Sequence, residues 1–420
     1  MGNSVNILYG FLNIVSHATE RFIEESIQPL KQKRMTEFNL AEIIRPKIYN
    51  LEPYRCARDD FKEGILLDAN ENTHGPSLSI ETSFTDLNRY PDPHQQQLKT
   101  LIADYRNTQK PADKPALTYE NLCLGVGSDE SIDAIMRASC VPGKNKVLVC
   151  PPTYGMYGIT ADINDLECVK VPLLPKREKD DLKFQLNVPE ILSTLENDKD
   201  IRLVMITSPG NPTAAQVDTE DIKTILNKWK NGFVVVDEAY IDFGKGSVCS
   251  YVNEYPNLVV FQTLSKAFGL AGVRLGVSYT SKELSKILNA MKAPYSISTM
   301  ASELAINAFD KKSLDTFEKN KQSIIQGRQY LIDELVKLPY VDDEIIGGLD
   351  ANFILIKILP EELAQKVYHK MATESKVVVR YRGNELNCKG GIRVSIGTQE
   401  ENQQMVKEFK KNMESLLSSQ

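Results

Sequence analysis

Five short runs of branched aliphatic residues constrain this chain more than anything else in it. They are KVLVC at 146–150, IRLVMIT at 201–207, FVVVD at 233–237, LVVFQT at 258–263 and RLGVSY at 274–279. The runs are near-continuous in apolar side chains, so they read as strands buried on both faces, which is the pattern of a parallel sheet covered by helices. The segments between them have helical spacing. Ile132, Ile135 and Met136 share one face of a helix expected over 129–140. Asp218, Thr219 and Asp221 open another, which carries Ile222, Ile225, Leu226 and Trp229. Strands alternating with helices predict an α/β domain with a mostly parallel sheet. NTQKPADKPA (107–116) and PKREKDDLK (175–183) read as surface loops. After about residue 310 the rhythm changes. A long charged helix over 314–337, stopped by Pro339, leads into GGLDANFILIKI, a helix, VVVRYRG and GGIRVSIGT, which predicts a second, smaller α+β domain.

Composition narrows the class. The 420 residues are 42% hydrophobic and 25% charged, which are values of a folded globular chain. Fifty basic against 56 acidic residues leave a net charge of −6, so no nucleic-acid partner is expected. No apolar stretch reaches the 18 residues of a membrane-spanning helix, so no membrane partner is expected either. The seven cysteines are odd in number and form no CxxC pair, which argues against a disulfide framework or a zinc site and for a reducing compartment. His17, His74, His94 and His369 have no ligand spacing, and no metal is expected. The first 34 residues differ from the rest. VNILYGFLNIV has no preceding Lys or Arg, Glu20, Glu24 and Glu25 are out of place in a mitochondrial presequence, and Asn6 breaks the myristoylation pattern. They are expected to be a disordered or dispensable extension of a cytoplasmic protein.

Four motifs carry chemistry. VVVDEAYIDF (234–243) ends a buried strand in Asp237, with Tyr240 three residues on. Ligands of open α/β sheets gather at such strand ends, although an Asp there serves equally as a helix cap. TLSKAFGLAGVRLG (263–276) places Lys266 after a strand, flanked by Thr263 and Ser265, with Arg274 eight residues on. A desolvated lysine can form a Schiff base, and the hydroxyls and guanidinium suit a phosphate. GVGSDESID (125–133) is a glycine turn into a helix starting near Ser128, whose free N–H groups suit a phosphate, though a tight turn is an equal reading. SPGNPTA (208–214) holds Asn211 between prolines, which by itself is any rigid turn. Taken together, a phosphate cradle, a buried lysine, an Asp for a ring nitrogen, and Asn with Tyr for a ring hydroxyl describe a site for pyridoxal 5′-phosphate.

The order GSDE, PTYGMY, SPGNPT, VVDEAY, LSKAFGLAGVRLG resembles the class I and II aminotransferases of the type I pyridoxal-phosphate fold. LLDANEN (66–72), RYPDP (89–93), YIDF, ANFILI (351–356), VVRYRG (378–383) and IRVSIGT (392–398) are most similar to the histidinol-phosphate aminotransferase family, in its fungal form. The resemblance covers about residues 38–415. It implies a large domain over 86–314 with a seven-stranded, mostly parallel sheet, and a small domain from 35–85 and 315–420. It implies Lys266 as Schiff-base lysine and proton shuttle, Asp237 against the pyridinium, Tyr240 and Asn211 on the ring hydroxyl, and Tyr154 stacked on the ring. Lys266, Asp237 and Tyr240 form the catalytic set. Ser128, Asp129, Thr263, Ser265 and Arg274 would hold the phosphate. Tyr90 would reach the cofactor of a neighbouring subunit, which implies a homodimer with shared sites. Tyr54, Asn70, Arg380 and Arg393 would bind the substrates, L-histidinol phosphate and then 2-oxoglutarate, in a ping-pong transamination of histidine biosynthesis that yields imidazole acetol phosphate and L-glutamate. The chain departs from the pattern at Ala214, where Gly is common, and at Thr73, where Pro is common.

Other readings share much of this machinery. A threonine-phosphate decarboxylase uses the same lysine, Asp and arginines and would release CO2 without a keto acid. A broad aromatic aminotransferase would prefer phenylalanine. A non-catalytic regulator on this scaffold needs a DNA-binding module, for which the 34-residue head is too short and too acidic.

Overall fold

Burial on both faces decides the architecture. The computed structural model describes residues 60, 61, 63–68, 70, 72, 74 and 91–418. The chain divides into two units, 1–51 and 52–420, and the described residues all belong to the second. The predicted head, Tyr54, Thr73 and Tyr90 lie outside the described residues.

The strands are β1 (Ile65–Leu66), β2 (Leu122–Val126), β3 (Lys146–Val149), β4 (Glu167–Lys170), β5 (Leu174–Lys176), β6 (Lys183–Gln185) and β7 (Ile201–Thr207). Then follow β8 (Phe233–Asp237), β9 (Leu258–Thr263), β10 (Leu275–Tyr279), β11 (Phe353–Lys357), β12 (Val377–Val378), β13 (Arg380–Tyr381) and β14 (Gly391–Ser395). Seven of them form one sheet in the order β2-β10-β9-β8-β7-β3-β4. All its pairs are parallel except those of β10, which runs against both neighbours. The expected strands are found nearly residue for residue, and β2 and β4 are added at the two edges.

The sheet separates two apolar layers, as the alternation of side chains along a strand requires. Val204, Ile206, Val234, Val236 and Val260 face one cluster, with Ile222, Ile225, Leu226 and Trp229. Leu203, Met205, Val235, Val259 and Phe261 face the other, with Ile132, Ile135 and Met136. Each side chain so buried contributes about 1.5–3 kcal/mol. The helices supplying these faces run over Gly127–Ser139 and Thr219–Lys228. Asp218 caps the second by accepting from the Glu220 N–H at 3.0 Å. The 107–116 segment is without a strand, as expected, and Asn107 closes it by bonding both the N–H and the carbonyl of Leu117, at 2.8 and 2.9 Å.

The segment 175–183 is not a plain surface loop. It contains most of a hairpin, β5 antiparallel to β6. Arg177 is buried and bonds Asp180 of the hairpin and, outside it, Asp218 and Asp221, with Nη1 2.6 Å from Asp221 Oδ2. The long charged helix is Lys311–Leu335, begun one turn before expectation because Asp310 caps it through the Ser313 N–H at 2.7 Å. Beyond it, β11, β14 and β13 form a small antiparallel sheet, flanked by the Leu363–Lys370 and Gln399–Leu417 helices. β1 pairs in parallel with β12, so residues before the large sheet join those after it.

Candidate active site

Strand direction collects the site. β7, β8 and β9 end at Thr207, Asp237 and Thr263, and β2 ends at Val126. Because β10 is reversed, its first residues lie at that same edge, with Leu275 opposite Val126 and Gly276 opposite Thr263. A cavity of about 230 Å³ opens there. It is the place where an open α/β sheet binds ligands.

Asp237 forms its floor. It is 3% exposed and accepts hydrogen bonds from Tyr157 Oη at 2.9 Å and the Ala239 N–H at 3.2 Å. Burial pushes its carboxyl up to about 6, against the pull of these bonds. Among the described residues no basic side chain pairs with it within 4.0 Å. A buried carboxylate of this kind needs a cation, and a protonated ring nitrogen supplies one. Next to it, Glu238 points away from the cavity, toward Ser247, Gln262 and the Val248 N–H, and burial pushes it up to about 7.

The phosphate cradle sits at the start of the Gly127–Ser139 helix, whose first-turn N–H groups have no partner within the helix. Gly127 has a φ of +72°, and a Cβ on it would lie 2.5 Å from Arg274 Nη2. A Cβ on Gly276 would lie 2.3 Å from the Gly127 backbone. Both glycines therefore let the Arg274 guanidinium and the helix start approach closely. Arg274 is at the mouth, 3.6 Å from Asp129. Thr263 Oγ1 is 2.9 Å from Ser265 Oγ and from the Leu275 carbonyl, which fixes both hydroxyls on the cavity wall. Lys266, half-buried, has its Nζ 5.8 Å from the centre of the Tyr240 ring.

The opposite wall comes from the small sheet and β1. Arg393 is buried, stacks over Phe353 at 5.2 Å, and donates to Asn211 Oδ1 and the Asp68 carbonyl, both at 2.6 Å. With its oxygen so engaged, Asn211 has its amide N–H groups as donors toward the cavity. Asn70, at φ +54°, donates through Nδ2 to Tyr240 Oη at 3.1 Å and accepts from Ser395 Oγ at 2.8 Å. The loop bearing Asn211 is pinned from the far side, where the Thr213 and Ala214 carbonyls accept from the Gly348 and Asp350 N–H groups, both at 2.8 Å. Ala214 has a φ of +52°, which accounts physically for a glycine being common at this position.

Every expected site residue except Tyr54 and Tyr90 lines this one cavity: Asn70, Ser128, Asp129, Tyr154, Asn211, Asp237, Tyr240, Thr263, Ser265, Lys266, Arg274, Arg380 and Arg393. Tyr54 and Tyr90 lie outside the described residues. Tyr154 adds a contact not foreseen, its hydroxyl donating to Asp129 at 3.2 Å. Sequence reasoning missed Asp68, Thr207, Arg382 and Tyr157. Tyr157 was within reach, because it belongs to the same PTYGMY motif as Tyr154, although it lies in the Met156–Ile163 helix and Tyr154 just before it. Asp68 was not, because it acts through its carbonyl. Among the described residues no His, Cys, Asp and Glu cluster could hold a metal ion.

A carboxylate for a ring nitrogen, a lysine beside it and a phosphate cradle define a transaminase site, and a family model described as aminotransferase class I and II matches residues 62–409. The chain belongs to this family and is an aminotransferase that works with pyridoxal 5′-phosphate. Among its relatives, histidinol-phosphate aminotransferase of Saccharomyces cerevisiae is 55% identical over 91% of this chain and 99% of its own. The Candida maltosa enzyme of the same name is 51% identical over 89% of this chain and 97% of its own. The crystal structure of histidinol-phosphate aminotransferase from Sinorhizobium meliloti, in complex with pyridoxal 5′-phosphate, superimposes with a TM-score of 0.76 at 19% identity, over 91% of this chain and all of that one. That likeness carries the fold.

Proposed function

We propose that this chain transfers the amino group of L-histidinol phosphate to 2-oxoglutarate. The observation that carries the reading is that one cavity holds a buried carboxylate with no basic side chain within 4.0 Å among the described residues, a lysine, and the arginines Arg274, Arg380, Arg382 and Arg393. The relatives named above supply the substrate.

The residues fit pyridoxal 5′-phosphate, since the Gly127 cradle has no room for a Cβ and Asp237 is a buried anion in search of a cation. When bound, the cofactor supplies a cationic ring that accepts the electron pair left when a substrate proton departs. Asp237 holds the ring nitrogen protonated, and Tyr157 and the Ala239 N–H orient Asp237. Ser128, Asp129, Thr263, Ser265 and Arg274, which line the cavity, would hold the phosphate, Asn211 and Tyr240 the ring oxygen, and Tyr154 would lie against the ring. The Lys266 amine would carry the proton from the substrate carbon to the C4′ carbon of the cofactor. Arg380 and Arg393, with Tyr54 and Asn70, bind the phosphate of one substrate and a carboxylate of the other, since a guanidinium fork matches both anions.

In this reading 86–314 is the large domain, 35–85 with 315–420 the small one, and the enzyme is a cytoplasmic homodimer in which Tyr90 of each subunit completes the other's site. The six described cysteines form no disulfide with one another, which suits a reducing compartment. A half-reaction tests the activity. L-Histidinol phosphate added to the holoenzyme without keto acid should bleach the visible absorbance of the cofactor and release one equivalent of imidazole acetol phosphate, and 2-oxoglutarate should restore the absorbance. Release of CO2 from threonine phosphate with no keto acid present, and no response to histidinol phosphate, would overturn it.

A further inference from the structure

The cavity has one guanidinium more than the family pattern assigns. Arg382 stands two residues beyond Arg380, just past the end of β13, and both line the cavity. Its backbone is held on both sides: the N–H donates to the Gly391 carbonyl at 2.8 Å and the carbonyl accepts from the Glu385 N–H at 3.0 Å. The side chain lines the cavity beside Arg380 and Arg393 and is 17% exposed. Its Nε is buried and meets no acceptor among the described residues. Its Nη1 reaches Glu385 Oε1 at 3.3 Å. The Nε of Arg393 is buried in the same way, but Arg393 has both Nη1 and Nη2 engaged, with Asn211 and the Asp68 carbonyl, whereas among the described residues Arg382 has Nη1 alone engaged.

A guanidinium that lines a cavity with one terminal nitrogen engaged keeps the other as a donor for an anion there. The two substrates bring different anions. A phosphate monoester carries a charge of about −1.5 to −2 and three acceptor oxygens, whereas a carboxylate carries one charge and two oxygens. A third guanidinium with an open donor matches the first and is surplus for the second.

We propose that Arg382 is a specificity-determining residue that binds the phosphate of the amine substrate and leaves the carboxylates of glutamate and 2-oxoglutarate to Arg380 and Arg393. This rests on the histidinol-phosphate reading above. Glu385 holds the side chain in place and competes with the phosphate for it.

Steady-state kinetics of the holoenzyme with each substrate, together with inhibition of the glutamate reaction by inorganic phosphate, test the assignment. Arg382→Gln should raise the KM for histidinol phosphate by about ten- to a hundredfold, the loss of a charged hydrogen bond. It should weaken inhibition by inorganic phosphate in parallel and leave the KM for glutamate within about twofold. Arg382→Lys should recover part of the effect, because the charge remains and the fork does not. A KM that rises equally for both substrates, or for neither, overturns the assignment. Should Arg382→Gln fail to fold, Glu385→Gln decides: it should lower the KM for histidinol phosphate by about two- to fivefold, and an unchanged KM overturns the assignment. A wild-type enzyme that turns over glutamate but not histidinol phosphate overturns the substrate reading itself, whereas turnover of both with an indifferent Arg382 overturns only the role of this residue.

Discussion

Asp237 shows how a single residue sets the chemistry. Its carboxyl is pushed up to about 6 from the ordinary 3.8 because burial penalises the charge. A carboxyl raised in the folded state holds more proton there than in the unfolded chain. Its contribution to stability is therefore full below 3.8 and is lost as pH rises through about 6. In cofactor-free protein, the unfolding free energy of the wild type should fall relative to Asp237→Asn by about 2–3 kcal/mol between acid and neutral pH. Urea titrations of the two proteins at several pH values measure this. Bound cofactor should remove the difference, because a ring cation then pairs with the carboxylate. A pH-independent gap between the two apo proteins would mean that Asp237 is not strained by burial.

At the scale of elements, the β5–β6 hairpin depends on a charge cluster. Arg177 is buried against Asp180 of its own hairpin and against Asp218 and Asp221 at the start of the Thr219–Lys228 helix. Asp218 caps that helix at the same time, so one guanidinium joins a hairpin to a helix terminus. Its partners are partly solvated, which reduces what each pair is worth. Arg177→Ala should cost about 1–3 kcal/mol in urea unfolding and leave the KM of both substrates unchanged, since Arg177 does not line the cavity. The run PKREKDDLK had the composition of a loop. Its Arg177 is paired with Asp218 and Asp221, about 40 residues further on, and only folding brings those near.

At the scale of the whole molecule, Ile287, Met291, Tyr295 and Met300 are exposed over one short stretch of chain. Exposed large apolar side chains are what a subunit interface covers, and the homodimer proposed above predicts that this stretch meets the second copy. Sedimentation equilibrium should give twice the mass of one chain. Ile287→Asp with Met300→Asp should shift it to one, with at least a tenfold loss of turnover. A double variant that is monomeric and fully active would remove the shared site. The described part of the chain has no helix long and apolar enough to cross a membrane.

The pattern of residues along the chain was enough for the α/β class, for the strands from 201 to 263 and for most of the cavity. The reason is physical: a doubly buried strand must be apolar throughout, and residues for a phosphate and a ring must come in the turns at its carboxyl end. Local order could not reveal what each side chain bonds. The Asn70–Tyr240, Arg393–Asn211 and Tyr157–Asp237 bonds join residues 170, 182 and 80 positions apart. Nor could it reveal that Arg382 lines the cavity with Nη1 held by Glu385, because that follows from which acceptors the folded chain places around it. Those partners are chosen by the reversed β10 and by the pairing of β1 with β12, long-range contacts that exist only once the sheets have closed.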